Sequence, residues 1–318
     1  MYLARHLGLG EMLVALKELD LHLPPEDLQQ VEAEFQREAT LLAHLQHRCL
    51  VRASDFFEEG GRMYIVMDYV AGTTLHQFMQ QQSGLLPVDL VLDWAAQLCD
   101  VLHYLHSQTP PVLHRDIKPA NVLLQEDGQV RLIDFGLSRY GSRDQRTASI
   151  FAGAGTPGFC PVEQYHGGTD VRSDIYSLGA TLYYLLTREI PANSVAVLAG
   201  EESLQPPRQF NRDIPFPLQD VLLKMMALKR EQRYPSIQEV ARALERVGRG
   251  GGGELRREFR VCALCRHLGC EDKGDAEYLF ECRVLGWRTR EQGIGEAAGK
   301  ALSINPGAAF ECPHWEPI

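Results

Sequence analysis

Three polar residues held between short apolar runs constrain this chain more than anything else in it. Val112-Leu113 leads into His114-Arg115-Asp116-Ile117-Lys118-Pro119-Ala120-Asn121, and Val122-Leu123-Leu124 comes directly after. A little further on, Val130-Arg131-Leu132-Ile133 leads into Asp134-Phe135-Gly136. Each stretch places polar residues beside an apolar run, so Asp116, Asn121 and Asp134 are expected on loops anchored by strands. Two aspartates and an asparagine make a hard oxygen-donor set. Such a set suits Mg²⁺, which needs few protein ligands when phosphates supply the rest.

The residues before these loops divide into two kinds of pattern. Up to about residue 70 the chain is strand-rich, with Met1–Arg5 and Met12–Leu19 around a glycine turn and Val51–Glu58 and Arg62–Tyr69 as a hairpin around Glu59-Gly60-Gly61. Between the pairs, Pro24-Pro25-Glu26-Asp27 carries the proline and acid of a helix's first turn. Its apolar stripe is Leu28, Val31, Phe35, Leu42 and Leu45, with Glu38 at the one position where the period calls for an apolar residue. An inward carboxylate is costly unless paired, and Lys17 on the preceding strand is the candidate partner. The alternative is a Glu38 at the stripe's edge that reaches water. After Thr73-Thr74-Leu75 the pattern turns helical: Val88–His106 has a long apolar face, and Asp174–Leu186 is apolar nearly all round, as a buried central helix would be. A small mixed lobe and then a larger helical lobe is the expected architecture, with a ligand cleft between them.

Composition excludes several classes. A net charge of −10 with no basic stripe argues against a nucleic-acid-binding surface. No apolar run approaches the roughly 18 residues of a membrane helix. Charges at Arg5, His6, Glu11, Lys17 and Glu18 interrupt any signal-peptide core. A cytoplasmic protein is expected, in which structural disulfides are rare.

With these residues in place, the sequence resembles the bacterial type of serine/threonine protein kinase. His114-Arg115-Asp116 with Asn121 resembles the catalytic loop, and Asp134-Phe135-Gly136 the metal motif. Val14-Ala15-Leu16-Lys17 resembles the family's phosphate-binding lysine strand, and Phe35-Gln36-Arg37-Glu38 the helix glutamate that pairs with it. Gly155-Thr156-Pro157-Gly158-Phe159-Cys160-Pro161-Val162-Glu163 is similar to the segment ending in A-P-E, with Arg233 as the expected ion-pair partner of Glu163. The resemblance runs from Met1 to about Val247. It implies an α+β bilobal kinase fold with lobes over 1–70 and 71–247, using ATP and Mg²⁺ on protein substrates.

The resemblance also implies roles. Lys17 would hold the α- and β-phosphates and Glu38 would hold Lys17. Asn121 and Asp134 would bind Mg²⁺, Asp116 would accept the substrate proton, and Lys118 would steady the γ-phosphate. Ala15, Met67, Asp68, Val70 and Leu123 would line the adenine pocket, with Met67 as gatekeeper and the backbone of Asp68 and Val70 meeting the base. Lys118 two residues after Asp116, with Thr156 in the loop expected to meet the substrate, implies the serine/threonine type. Arg115 implies control by phosphorylation of Ser142, Thr147 or Ser149, the competing reading being a polar loop with incidental hydroxyls. His114 is expected to pack and hydrogen-bond rather than react.

Met1-Tyr2-Leu3-Ala4-Arg5 is similar to the family's second strand, so the glycine-rich loop is expected upstream of Met1. Gly8 and Gly10 belong to a turn and do not replace it. A late start codon, a truncation and a natural pseudokinase each account for this. The last reading makes the chain a catalytically silent scaffold that acts by binding.

The C-terminal residues differ in kind. Val247-Gly248-Arg249 and Gly250-Gly251-Gly252-Gly253 have linker composition, and a linker is expected over 248–254. Residues 255–318 are rich in cysteine, and Cys262, Cys265, Cys270 and Cys282 resemble zinc-ligand spacing, with Cys312 and His314 in reserve. Packing cysteines and a redox or intermolecular role are the alternatives. A zinc module there would bind a partner protein or substrate.

Overall fold

The computed structural model describes residues 1–7, 10–18, 40, 43–134, 156–166, 168–250 and three strands within 268–292. The chain divides into two compact units, the first formed by Met1–Gln125 and Val130–Val247.

The first unit begins with a four-stranded antiparallel sheet, ordered β1-β2-β4-β3. Its strands are β1 (Tyr2–His6), β2 (Met12–Glu18), β3 (Ala53–Glu59) and β4 (Arg62–Asp68). All four lie within a residue or two of the sequence expectation. The β3–β4 turn is set by Gly60 and Gly61, whose φ angles of +59° and +74° are both left-handed. A Cβ at either would meet nothing within 4 Å. Backbone conformation, not space, therefore selects glycine in this two-residue hairpin turn. Of the inserted helix only residues 40, 43 and 44 are described, and then a buried Leu45. The rest of the stripe, Glu38 included, lies outside the described residues.

Helices dominate the remainder of this unit. A two-residue strand β5 (Thr73–Thr74) leads into α1 (Leu75–Gln81), capped by Thr74 in a reciprocal box with Gln77. Next comes α2 (Val88–His106), whose buried face runs from Leu90 through Trp94, Leu98 and Leu102 to Leu105. The hairpin of β6 (Val122–Leu124) and β7 (Val130–Leu132) joins β5 in a small sheet. A single turn, α3 (Glu163–His166), precedes α4 (Val171–Thr187). The last helices are α5 (Ser194–Ala199), α6 (Phe216–Met225) and α7 (Ile237–Gly250). Among the described residues no helix is long and apolar enough to cross a membrane.

The expectation of a buried central helix is met by α4. It is buried on every face, and that burial takes in Ser173, Asp174, Ser177, Thr181 and Thr187. Asp170 caps its start in a box with Ser173. At its end Arg188 adopts φ +62° and donates to the carbonyls of Gly84 and Met79 at 3.1 and 2.9 Å, tying α4 to α1.

The last helix runs past the expected boundary. Gly248, Arg249 and Gly250, assigned to the linker from their composition, complete α7. In the other unit, β8 (Leu268–Asp272), β9 (Glu277–Cys282) and β10 (Arg288–Gln292) form an antiparallel sheet in the order β10-β9-β8.

Gly179 shows how tightly α4 meets α6. A Cβ there would lie 2.8 Å from Cβ of Met225 and 3.0 Å from Cγ of Met226. Alanine gains up to about 1 kcal/mol of helix propensity, but overpacking beside a Cβ that cannot swing away costs about 1–3 kcal/mol. Gly179→Ala is therefore expected to lower the midpoint of thermal unfolding. An unchanged or raised midpoint would show that the helices separate freely.

Candidate active site

The loop between α2 and β6 is held from beneath by one carboxylate. Asp174, completely buried in α4, accepts the N–H of His114 on Oδ2 at 3.0 Å and the N–H of Arg115 on Oδ1 at 2.8 Å. His106, the last residue of α2, places Nε2 2.9 Å from Oδ2. Burial alone would raise the Asp174 pKa. The His106 hydrogen bond and charge, with the Arg115 amide, outweigh it and hold the carboxyl below its usual range. Arg115 is fixed at φ +64°, a left-handed conformation that costs a non-glycine residue about 1–2 kcal/mol. Gln164 of α3 donates to its carbonyl at 2.8 Å. His114 is buried, and burial pushes its imidazole pKa down.

That backbone turn delivers Asp116 to a compact polar cluster. Asn121 sits in the 3-10 turn Pro119–Asn121 and directs Nδ2 to the Asp116 carbonyl at 2.9 Å and to its Oδ2 at 2.7 Å. The amide's own oxygen is thereby turned away from Asp116. Lys118 Nζ lies 2.8 Å from Asp116 Oδ2 and 2.7 Å from Thr156 Oγ1, so one ammonium joins the loop to the segment ahead of α3. Beneath the loop, the Thr181 hydroxyl of α4 donates to the Ser177 carbonyl of its own helix at 2.8 Å and lies 3.3 Å from the carbonyl of the buried Ile117.

From the sheet side, β2 carries Lys17 opposite Ile65, and its Nζ lies 3.4 Å from Asp134 Oδ1. Asp134 comes two residues after β7 at φ +49°, its side chain about a third exposed. Ala15 pairs with Met67 in the ladder, Met67 is buried, and Leu123 lies half-buried on β6. The Asp68 N–H donates to Arg52 O at 3.0 Å, so the carbonyl is the Asp68 backbone group with capacity for a ligand. Val70, just beyond β4, is half-buried.

The structure thus brings Lys17, Asp116, Lys118, Asn121, Asp134 and Thr156 into one site. Glu38, Ser142, Thr147, Ser149, Cys262 and Cys265 lie outside the described residues. Cys270 stands opposite Phe280 and Cys282 opposite Leu268 in the β8–β9 ladder, two positions apart along it. No group of three or more metal-ligating side chains occurs among the described residues. Cys49, Cys99 and Cys160 are buried, and burial pushes the Cys99 thiol up to about 12, which makes it a packing residue. His106 and Asp174 are the residues sequence reasoning passed over. The signal was present: an acid near the start of an otherwise apolar helix needs a buried donor.

The comparisons with known proteins agree with this arrangement. Residues 2–243 match the protein kinase domain family. The chain belongs to that family. It is 35% identical over 226 residues to the serine/threonine-protein kinase PknB of Mycobacterium leprae, covering 68% of this chain and 36% of that protein. It is 36% identical over 228 residues to the tyrosine-protein kinase MasK of Myxococcus xanthus, covering 66% and 35%. The kinase domain of PknI from Mycobacterium tuberculosis superposes with a TM-score of 0.60 at 28% identity, covering 77% of this chain and 90% of that domain. The chain spans about a third of the length of the curated relatives it matches.

The Arg233–Glu163 pair locks the segment after Thr156. Arg233 donates Nη1 to Glu163 Oε1 at 2.6 Å and Nη2 to Oε2 at 3.1 Å, its side chain fully buried. Removing one partner of such a pair typically costs about 3–5 kcal/mol, because the other charge is left buried. Arg233→Ala is expected to lower the unfolding midpoint sharply, and Arg233→Lys to recover only part of it. Equal stability of all three proteins would show the fork to be dispensable.

Proposed function

We propose that the chain is an ATP-dependent protein kinase that transfers the γ-phosphoryl group of Mg-ATP to serine or threonine hydroxyls of proteins. The observation that carries this reading is the Lys118 ammonium, held at once by Asp116 Oδ2 and Thr156 Oγ1. It places a cation and a general base at one point, beside the loop that would receive the substrate. The names of most relatives point the same way, while MasK is named for tyrosine.

The residues present fit the nucleotide and its metal. Asn121 turns its carbonyl oxygen away from Asp116, and Asp134 keeps an accessible carboxylate, two hard donors of the kind Mg²⁺ takes. Bound Mg-ATP supplies the phosphoryl group and neutralises much of its charge. Lys17 would hold the α- and β-phosphates, with Glu38 supporting Lys17. Ala15, Met67, Leu123 and the backbone of Asp68 and Val70 would enclose adenine. Asp116 would orient the attacking hydroxyl and take its proton as the new bond to the γ-phosphorus forms and the bond to the β–γ bridging oxygen breaks to release ADP, and Lys118 would steady the transferring group. Arg115 would receive a phosphate carried by Ser142, Thr147 or Ser149.

The same reading assigns the protein to the cytoplasm and its two lobes to 1–70 and 71–247. It assigns residues 255–318 to a cysteine-rich module that binds a partner protein. On their spacing in the sequence, Cys262, Cys265, Cys270 and Cys282 would hold a zinc ion there. Stoichiometric zinc retained after dialysis, and lost in Cys262→Ser, is the expected result. Metal-free protein that stays folded would remove the assignment.

The test of the activity is transfer of labelled γ-phosphate to the protein itself and to a generic serine/threonine substrate. Asp116→Asn is expected to reduce transfer about 10²–10⁴-fold, the usual contribution of a general base. Transfer that the variant leaves intact would contradict the assignment, and no transfer by either protein would favour a scaffold that only binds.

A further inference from the structure

We propose that Gln164 is a positioning residue for phosphoryl transfer, tying the segment after Thr156 to the peptide group that carries Asp116. Its catalytic consequence rests on the kinase reading, while the tie itself does not. The Gln164 side chain reaches from α3 to the loop between α2 and β6, where Nε2 donates to the Arg115 carbonyl at 2.8 Å. That carbonyl and the Asp116 N–H belong to one planar peptide. Rotation about the Cα–C bond of Arg115 would turn this plane, and the Gln164 bond opposes that rotation. The amides held by Asp174, those of His114 and Arg115, lie in the planes before it.

The other end of the amide separates this role from packing. Gln164 Oε1 is buried and has no hydrogen-bond partner among the described residues. A stranded interior acceptor is a cost, which an apolar side chain of the same length would avoid. What the apolar side chain would lack is the N–H that meets the Arg115 carbonyl.

The far side of the tie is rigid. Gln164 follows Glu163, which accepts two nitrogens of Arg233 at 2.6 and 3.1 Å and the Ser173 hydroxyl at 2.9 Å. The Gln164 N–H donates to the Pro161 carbonyl at 3.0 Å. A second tie joins the same two segments, since Lys118 Nζ meets both Thr156 Oγ1 and Asp116 Oδ2. The Asp116 side chain is thus steered through Lys118 and its backbone through Gln164. Lys17 is carried by β2 in the four-stranded sheet and takes no part, so the nucleotide's affinity is expected to be unchanged.

The test compares two variants of the full chain with the wild-type protein. Amide hydrogen exchange over residues 115–118 is measured first, relative to wild type at each pH, since it needs no catalytic activity. Phosphoryl transfer is measured second and rests on the kinase reading. Gln164→Met keeps the length and removes both the donor and the stranded oxygen. Its unfolding midpoint is expected to stay or rise. Exchange is nevertheless expected to quicken and kcat to fall roughly tenfold, the fold-change carried by one hydrogen bond, with KM for ATP unchanged. Gln164→Glu offers a donor only when protonated, so the same losses are expected at about pH 8 and are expected to shrink towards about pH 5. If Gln164→Met does not fold, the pH series of Gln164→Glu decides. Wild-type exchange in Gln164→Met would overturn the proposal, as would exchange in Gln164→Glu that keeps a constant ratio to wild type across that range. A Gln164→Met midpoint that falls along with transfer would make the residue structural and overturn it too. Silence of the wild-type protein in the transfer assay would count against the kinase reading alone, because exchange would still report the tie.

Discussion

Asp174 receives three hydrogen bonds while having no access to water, and the arrangement of the site depends on it. Burying a carboxylate costs several kcal/mol, while each hydrogen bond to a charged group returns about 1.5–3 kcal/mol. Three donors offset the burial where one would not. The donors come from the end of α2 and from two consecutive residues of the loop between α2 and β6. Only a backbone that turns sharply can present the His114 and Arg115 amides to the two oxygens of one carboxylate, and the turn is made by Arg115 at φ +64°. The strain at Arg115 and the charge at Asp174 therefore maintain each other. Their product is the placement of Asp116, the residue after Arg115.

The sheet lobe is joined to the helical lobe by backbone as well as by the Lys17–Asp134 ion pair. The Leu132 N–H donates to Cys49 O at 2.8 Å, and Leu50 and Leu132 form a parallel bridge. The Gln46 N–H reaches Tyr104 Oη at 2.9 Å, with His47 stacked on the same ring at 5.3 Å. The segment before β3 is thus seated on α2 and β7. Asp134 stands two residues beyond the bridge and Lys17 sits on β2, so ladders fix the two backbones between which the ion pair forms. One half of the site descends from Asp174 through the loop, and the other from this bridge through β7.

Much of this was legible because it rests on local rules. The Gly60-Gly61 hairpin reflects two residues that alone tolerate positive φ without cost. The strand character of β2 and the apolar face of α2 reflect their periods of two and 3.6. Asp116, Asn121 and Asp134 could be picked out because polar residues interrupt apolar runs. What escaped depends on residues far apart in sequence meeting in space. His106 and Asp174 are 68 positions apart, and no local pattern links a histidine at one helix end to an acid inside another. The strands β8, β9 and β10 escaped because the cysteine spacing drew the reading toward metal, although Tyr278, Leu279 and Phe280 are strand formers. The helical Gly248 and Gly250 escaped because composition describes a free segment, whereas these residues extend a helix already nucleated.

Asp174→Asn tests most directly whether the buried carboxylate positions Asp116. The substitution keeps the shape and replaces one acceptor with a donor that faces an N–H or the His106 ring. The measurement is single-turnover phosphoryl transfer, with nucleotide affinity and thermal unfolding determined on the same protein. Cooperative unfolding, an unchanged nucleotide Kd and a transfer rate lower by about a hundredfold are expected, the loss that a small misplacement of a catalytic group produces. A folded variant that transfers phosphate at the wild-type rate would show that Asp116 is positioned by something other than the buried carboxylate.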